Sequence, residues 1–170
     1  MGELKGLERL PRRITEIVFV DWNPNFYAAL SGKVIEFSAF TSKKLESSYE
    51  SDLAEKLEKK LERYFSGKRV SFDEFKVSYP SEFSKRVLEE VRKIEYGKVC
   101  SYSDLAEKLG TSPRAVGVAL KMNRVPVIVP CHRVVAKNGL GGYSHGVNLK
   151  LKLLKLEGVE CACLSGRGSL

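Results

Sequence analysis

The chain of 170 residues has no glutamine, only two histidines and four cysteines, and no long apolar run. Each shortage removes a class of protein. No stretch approaches the roughly 18 consecutive apolar residues that cross a bilayer. The first thirteen residues carry Glu3, Lys5, Glu8, Arg9, Arg12 and Arg13, which leaves no apolar centre for a secretory signal. The cysteines, at positions 100, 131, 161 and 163, are too unevenly spread for a secreted disulfide framework. Cys161 and Cys163 sit in a tail, lack the second pair a zinc site needs, and are read with Cys100 as outside the chemistry. No GxxxxGK[ST] loop occurs to cradle phosphates. The expectation is a soluble, cytoplasmic protein without a metal. Lys and Glu in abundance, with glutamine absent, is the bias of heat-adapted proteins.

What is present indicates a globular chain: apolar residues make up 43%, enough for one domain or two small ones. Charge divides it. Up to Ser78, 14 Lys and Arg oppose 13 Asp and Glu, a net +1; from Tyr79 on, 15 oppose 8, a net +7. A positive field of that kind attracts polyanions, nucleic acid above all. The patterning predicts an α+β fold. Residues 14–22 and 34–40 read as strands, with turns at 23–25 and 31–32, and 70–77 as a third. Together they predict a small antiparallel N-terminal sheet. Residues 49–65 read as a helix with Leu53, Leu57, Leu61 and Phe65 every four residues. We divide the chain into a supporting domain, 1–78, in which nothing bears the marks of chemistry, and a mostly helical domain, 79–170.

In the second half, Pro80 and Ser81 open a helix striped by Phe83, Val87, Val91 and Ile94. The run SDLAEKLGTSPRAVGVALKMN reads as a helix-turn-helix, with Ser103 and Ser112 as caps and Pro113 at a first helical position. Its second helix carries few base-reading groups, and Ala115, Gly117 and Ala119 make it small and smooth. That suits the minor groove and binding with little sequence preference. A last helix, 147–156, ends at Glu157, where a carboxylate opposes the helix dipole and is either exposed or paired. A histidine partner would account for it.

The most chemically loaded stretch is VPVIVPCHRVV, residues 125–135. Its prolines and valines predict a short buried strand that holds Cys131 on a stiff, dry element. A thiol becomes a nucleophile when deprotonated, and a histidine oriented by a carboxylate is a standard means. Neighbours in a strand point to opposite sides, so either the chain turns at Cys131 or a water joins it to His132. A cysteine hydrolase would call for a histidine distant in sequence, and the other histidine is His145, in the glycine-rich loop LGGYSHG.

Pro130-Cys131-His132-Arg133-Val134, preceded by Asn123 and by the helix pair with Arg114, resembles the 6-O-alkylguanine-DNA alkyltransferase family, also called methylated-DNA-protein-cysteine methyltransferases. The resemblance runs from about residue 83 to 158. It implies that Cys131 accepts the alkyl group, that His132 is its water-linked base and Glu157 the carboxylate orienting that base, and that Tyr102 crowds the target phosphate and donates a proton toward the purine. It also implies that Arg114 fills the gap left by a flipped nucleotide and that Asn123 is the hinge to the active-site strand. Tyr143 and Ser144 would cover the base, the Val134 carbonyl would read its amino group, Lys150 would support the site, and Arg133 would be structural. The implied activity is cofactor-free, single-turnover repair of 6-O-methylguanine, and less well of 4-O-methylthymine, in double-stranded DNA by a monomer. His145, where many relatives have glycine, would narrow the pocket toward large alkyl groups. The alternative is a non-catalytic protein that binds alkylated DNA, a class that lacks the cysteine. A helix-turn-helix regulator would need base-reading side chains and a dimer interface.

Overall fold

Residues 13–159 are described by a computed structural model, and Cys161 and Cys163 lie outside the described residues. The fold is α+β. Strands β1 (Glu16–Val20), β2 (Asn25–Ser31) and β3 (Val34–Thr41) form an antiparallel meander, and β4 (Lys76–Val77) joins β3 in parallel. The central strand β2 is the element that sequence patterning passed over. Residues 26–30 are all buried, so they show no alternation between faces. The strand expected over 70–77 shrinks to the two residues of β4. Phe72 and Phe75 are buried in a turn, with the Phe75 N–H donating to the Phe72 carbonyl at 3.1 Å.

Helix α1 (Asp52–Phe65) starts at Ser51, whose hydroxyl accepts the Ala54 N–H, and it buries Ala54, Leu57, Leu61, Tyr64 and Phe65. Each large apolar side chain removed from water on this face contributes about 1.5–3 kcal/mol. The second half begins with α2 (Glu82–Arg92), capped by Ser81. Then come β5 (Cys100–Ser101), α3 (Tyr102–Leu109) and α4 (Pro113–Lys121). The cap of α3 is Ser101, not Ser103, because the helix begins two residues earlier than the polar pattern suggests. Gly110, at φ 65°, ends α3 in the left-handed region that glycine enters without steric cost, and Ser112 and Pro113 then start α4. Helix α4 packs on both α2 and α3. Ala119 faces the core at 1% exposure, which corrects its placement on the outer face. That face is Arg114, Lys121 and the apolar Val118 and Met122, 54% and 43% exposed.

The stretch 125–129 is not a strand. Its valines and isoleucine are buried as expected, but the chain folds back on itself. The Val129 N–H donates to the Val125 carbonyl at 2.9 Å, and Val127 sits at φ 72°. Pro126 and Pro130 have no N–H to give a ladder, so the segment cannot extend a sheet on both sides. A β-branched residue at positive φ costs about 1–2 kcal/mol. Ser38 of β3 holds this loop: its N–H donates to the Arg124 carbonyl and its hydroxyl to the Pro126 carbonyl, both at 2.9 Å. Strand β6 (Val134–Val135) pairs in parallel with β5, and α5 (Val147–Leu156) closes the fold. One apolar core joins Leu61 and Phe72 of the first half to Val87, Val91, Val129 and Leu153 of the second. Among the described residues no helix is long and apolar enough to cross a membrane.

Candidate active site

The folded-back loop delivers the chain into a single 3-10 turn, Cys131–Arg133, and this decides the geometry. The three side chains are all buried but leave the backbone in different directions, so the chain turns between Cys131 and His132. Cys131 is 8% exposed and lines a cavity of about 440 Å³ with Tyr102, Pro113, Gly117, Asn123, Tyr143 and His145. That volume falls in the range of about 300–1,000 Å³ usual for small-molecule pockets.

Burial pushes the Cys131 thiol up in pKa. The Asn123 amide, which donates to Sγ at 3.2 Å, and the Lys150 ammonium pull it back only partly. The resting sulfur is therefore a thiol and calls for a base. Asn123 also ties the loop, with its Nδ2 donating to the Val129 carbonyl at 3.1 Å and its Oδ1 accepting the Val125 N–H at 3.1 Å. The Tyr143 hydroxyl is buried beside Cys131 without a hydrogen bond of good geometry.

His132 is fully buried, and burial holds its pKa below the usual value, so it is neutral at pH 7. Its Nε2 lies 2.7 Å from Glu157 Oε1. Glu157, just past α5, is 5% exposed and far from a stray helix-end acid. Desolvation by burial would raise its pKa, yet His132 and the Arg133 guanidinium outweigh that and hold it at about 2. Arg133 donates through Nε to Oε2 at 2.9 Å and through Nη2 to Oε1 at 3.0 Å, and the Gly97 N–H donates to Oε2 at 3.1 Å. An ionised carboxylate can only accept, so the Nε2 of neutral His132 carries the proton. Nδ1 is then the unprotonated nitrogen, and it is buried with no partner among the described residues.

Of the remaining expected residues, Tyr102 and Ser144 line the cavity with Tyr143, whereas Arg114, Val134 and Lys150 are not among its lining residues. Tyr102 begins α3 and its hydroxyl donates to the Gly142 carbonyl at 3.2 Å. Gly141, at φ 70°, passes so close to that ring that a Cβ would lie 2.7 Å from Tyr102 Cε2. Lys150 is fully buried and spans the Val134 and Gly142 carbonyls at 2.6 and 3.0 Å, and desolvation lowers its pKa to about 8. Ser144 and His145 are exposed on the loop above the sulfur, where the His145 ring meets Phe40 of β3 at 5.8 Å and Tyr143 at 5.4 Å. Arg114 stands exposed at the first turn of α4. Tyr64 went unforeseen. It comes from α1, and its hydroxyl donates to Glu157 Oε1 at 2.7 Å and lies 3.3 Å from His132 Nε2. A tyrosine on the buried stripe three residues after Leu61 was its one signal, since such a hydroxyl has to find a partner.

A helix-turn-helix beside a cavity lined by a buried cysteine, with a histidine–carboxylate pair starting at the next residue, fits the class of DNA-binding proteins that carry a cysteine in the site. Residues 82–159 match the family described as 6-O-methylguanine DNA methyltransferase, DNA binding domain. The methylated-DNA-protein-cysteine methyltransferase of Archaeoglobus fulgidus is 46% identical over 151 residues, which cover 82% of this chain and 97% of that protein. Its counterpart in Metallosphaera sedula is 58% identical over 101 residues, 59% of this chain and 65% of that protein's length. A Mycobacterium tuberculosis OGT solved in complex with DNA superposes with a TM-score of 0.69 at 29% identity, over 84% of this chain and 92% of that one. This chain belongs to the 6-O-methylguanine DNA methyltransferase family.

Proposed function

We propose that this protein repairs DNA by direct reversal, taking the alkyl group of 6-O-methylguanine onto Cys131 once and for good. The observation that carries the reading is the oriented pair behind the sulfur: a neutral His132 with its proton held toward Glu157 at 2.7 Å and its Nδ1 free. The alkylated oxygen is on the pairing edge of the base, so the nucleotide must leave the stack, at a few kcal/mol. Arg114 fills the space it leaves, and the basic second half binds the duplex backbone with little sequence preference. The apolar outer face of α4 suits the minor groove.

In the cavity, His132 takes the thiol proton through Nδ1, directly or by way of a water. The thiolate attacks the methyl carbon, the sulfur–carbon bond forms, and the carbon–oxygen bond breaks with its electron pair left on the guanine oxygen. Tyr102, whose pKa is raised by burial and then by Cys131, stays protonated and can donate toward the ring. Across the whole reaction the thiol proton ends on guanine and the methyl on sulfur. The Val134 carbonyl reads the amino group of the base, Lys150 holds that carbonyl, and Tyr143 and Ser144 cover the base. A thioether is stable to water and to His132, so the protein acts once, as a monomer and without a cofactor. It accepts 4-O-methylthymine less well.

The test is to incubate the protein with a duplex holding one 6-O-methylguanine and weigh both products. One methyl on the Cys131 peptide, guanine restored and no turnover is the expected result. Multiple turnovers, or an unmodified protein that merely binds the lesion, would overturn it. Cys131→Ser should abolish transfer and keep DNA binding.

A further inference from the structure

The first half of the chain reaches the His132–Glu157 pair through Tyr64. Tyr64 is on α1, and its ring is fully buried among Phe65, Phe72 and Tyr96 at centroid distances of 5.2, 6.0 and 6.0 Å. Phenylalanine would fill that space equally well. A hydroxyl there costs desolvation unless it is paired, so its presence calls for a partner. That partner is Glu157 Oε1, 93 residues away in sequence, at 2.7 Å.

We infer that Tyr64 is a positioning residue for the alkyl transfer: its hydroxyl pins Glu157 and keeps the His132 proton on Nε2, leaving Nδ1 as the base toward Cys131. The inference rests on the alkyl-transfer reading above. With its own proton committed to the carboxylate, the Tyr64 oxygen can offer His132 only lone pairs, at 3.3 Å from Nε2. Nε2 thus faces two acceptors, the phenol oxygen and the carboxylate oxygen at 2.7 Å. Were the proton on Nδ1, the Nε2 lone pair would point at both, which is repulsive, and the base would be lost. The hydroxyl also restrains Glu157, which would otherwise be free to settle wholly on Arg133. The charged and titratable groups around His132 are Glu157 and Lys150 from α5 and its end, Arg133 from the turn and Tyr64 from α1. Of these, Tyr64 alone belongs to the first half.

The test uses the full chain with Tyr64→Phe. Methyl-transfer rate is measured against pH on a 6-O-methylguanine duplex, and long-range 15N–1H correlation reads the tautomers of the chain's two histidines. The unmodified chain should show His132 protonated on Nε2. The variant should transfer about 10-fold more slowly, the low end for losing a hydrogen bond to a charged group. Its acid limb should move to higher pH, because a carboxylate with one donor fewer favours the imidazolium more strongly. A purely structural role would lower the melting temperature and leave the limb in place. An acid limb that overlays the unmodified chain's, or a His132 protonated on Nδ1 in the unmodified chain, overturns the inference whatever the rate. If the variant does not fold, 3-fluorotyrosine placed at position 64 alone, a stronger donor in the same space, should move the acid limb to lower pH, and an unmoved limb overturns the inference. Failure of the unmodified chain to transfer methyl would strike the repair reading instead, and a His132 titration that is the same in both chains by 15N–1H correlation would still count against the hold of Tyr64.

Discussion

Replacing Glu157 with glutamine removes one charge from the most connected point of the site, and the structure sets the size of the response. The carboxylate accepts from Tyr64, His132, Arg133 and Gly97. A glutamine amide would turn an NH2 toward donors on one side and leave the buried Arg133 without a counter-charge. Breaking a buried pair in this way costs about 3–5 kcal/mol. An independent figure comes from titration. The Glu157 pKa falls from 4.5 to about 2 on folding, worth about 3 kcal/mol at about 1.4 kcal/mol per unit. Because the folded value is depressed, that stability is fully present above pH 4.5 and is lost as the pH falls toward 2. Urea unfolding of Glu157→Gln and the unmodified chain at pH 7 and pH 3 should therefore show a gap of about 3 kcal/mol that narrows on acidification. A gap below about 1 kcal/mol at pH 7, or one that does not change with pH, would refute the charge network as the source of stability.

Two further outcomes follow from neighbouring contacts. Lys150 has a folded pKa of about 8 against 10.5, so the unfolded chain binds the extra proton between those values and stability should rise with pH across that window; Lys150→Met should lose this rise and slow methyl transfer, checked by urea melts at pH 8 and 10 and by transfer rate. Gly141→Ala sets a Cβ 2.7 Å from the Tyr102 ring at φ 70°, and should cost about 1–2 kcal/mol from backbone strain alone while lowering transfer more than DNA binding, read by denaturation and by separate rate and binding assays.

Local chemistry made much of this protein legible before any tertiary contact was known. The Pro-Cys-His-Arg-Val run, the Ser112-Pro113 start of α4, the leucine repeat of α1 and the charge held in the second half are all patterns within a few residues or sums along the chain. Capping, periodicity and proline geometry act at that range. The α+β class and the helix-turn-helix followed from them. The fold alone decided the rest. Strand β2 hid because burial on both faces erases alternation, and residues 125–129 looked like a strand because a buried turn of valines has the same composition. Ser38 meets Pro126 across 88 residues, and Tyr64 meets Glu157 across 93. Partners that far apart leave no mark on the residues between them. Whether a carboxylate at a helix end is a stray charge or the orienting acid of a histidine depends on which distant donors the fold brings within 3 Å of it.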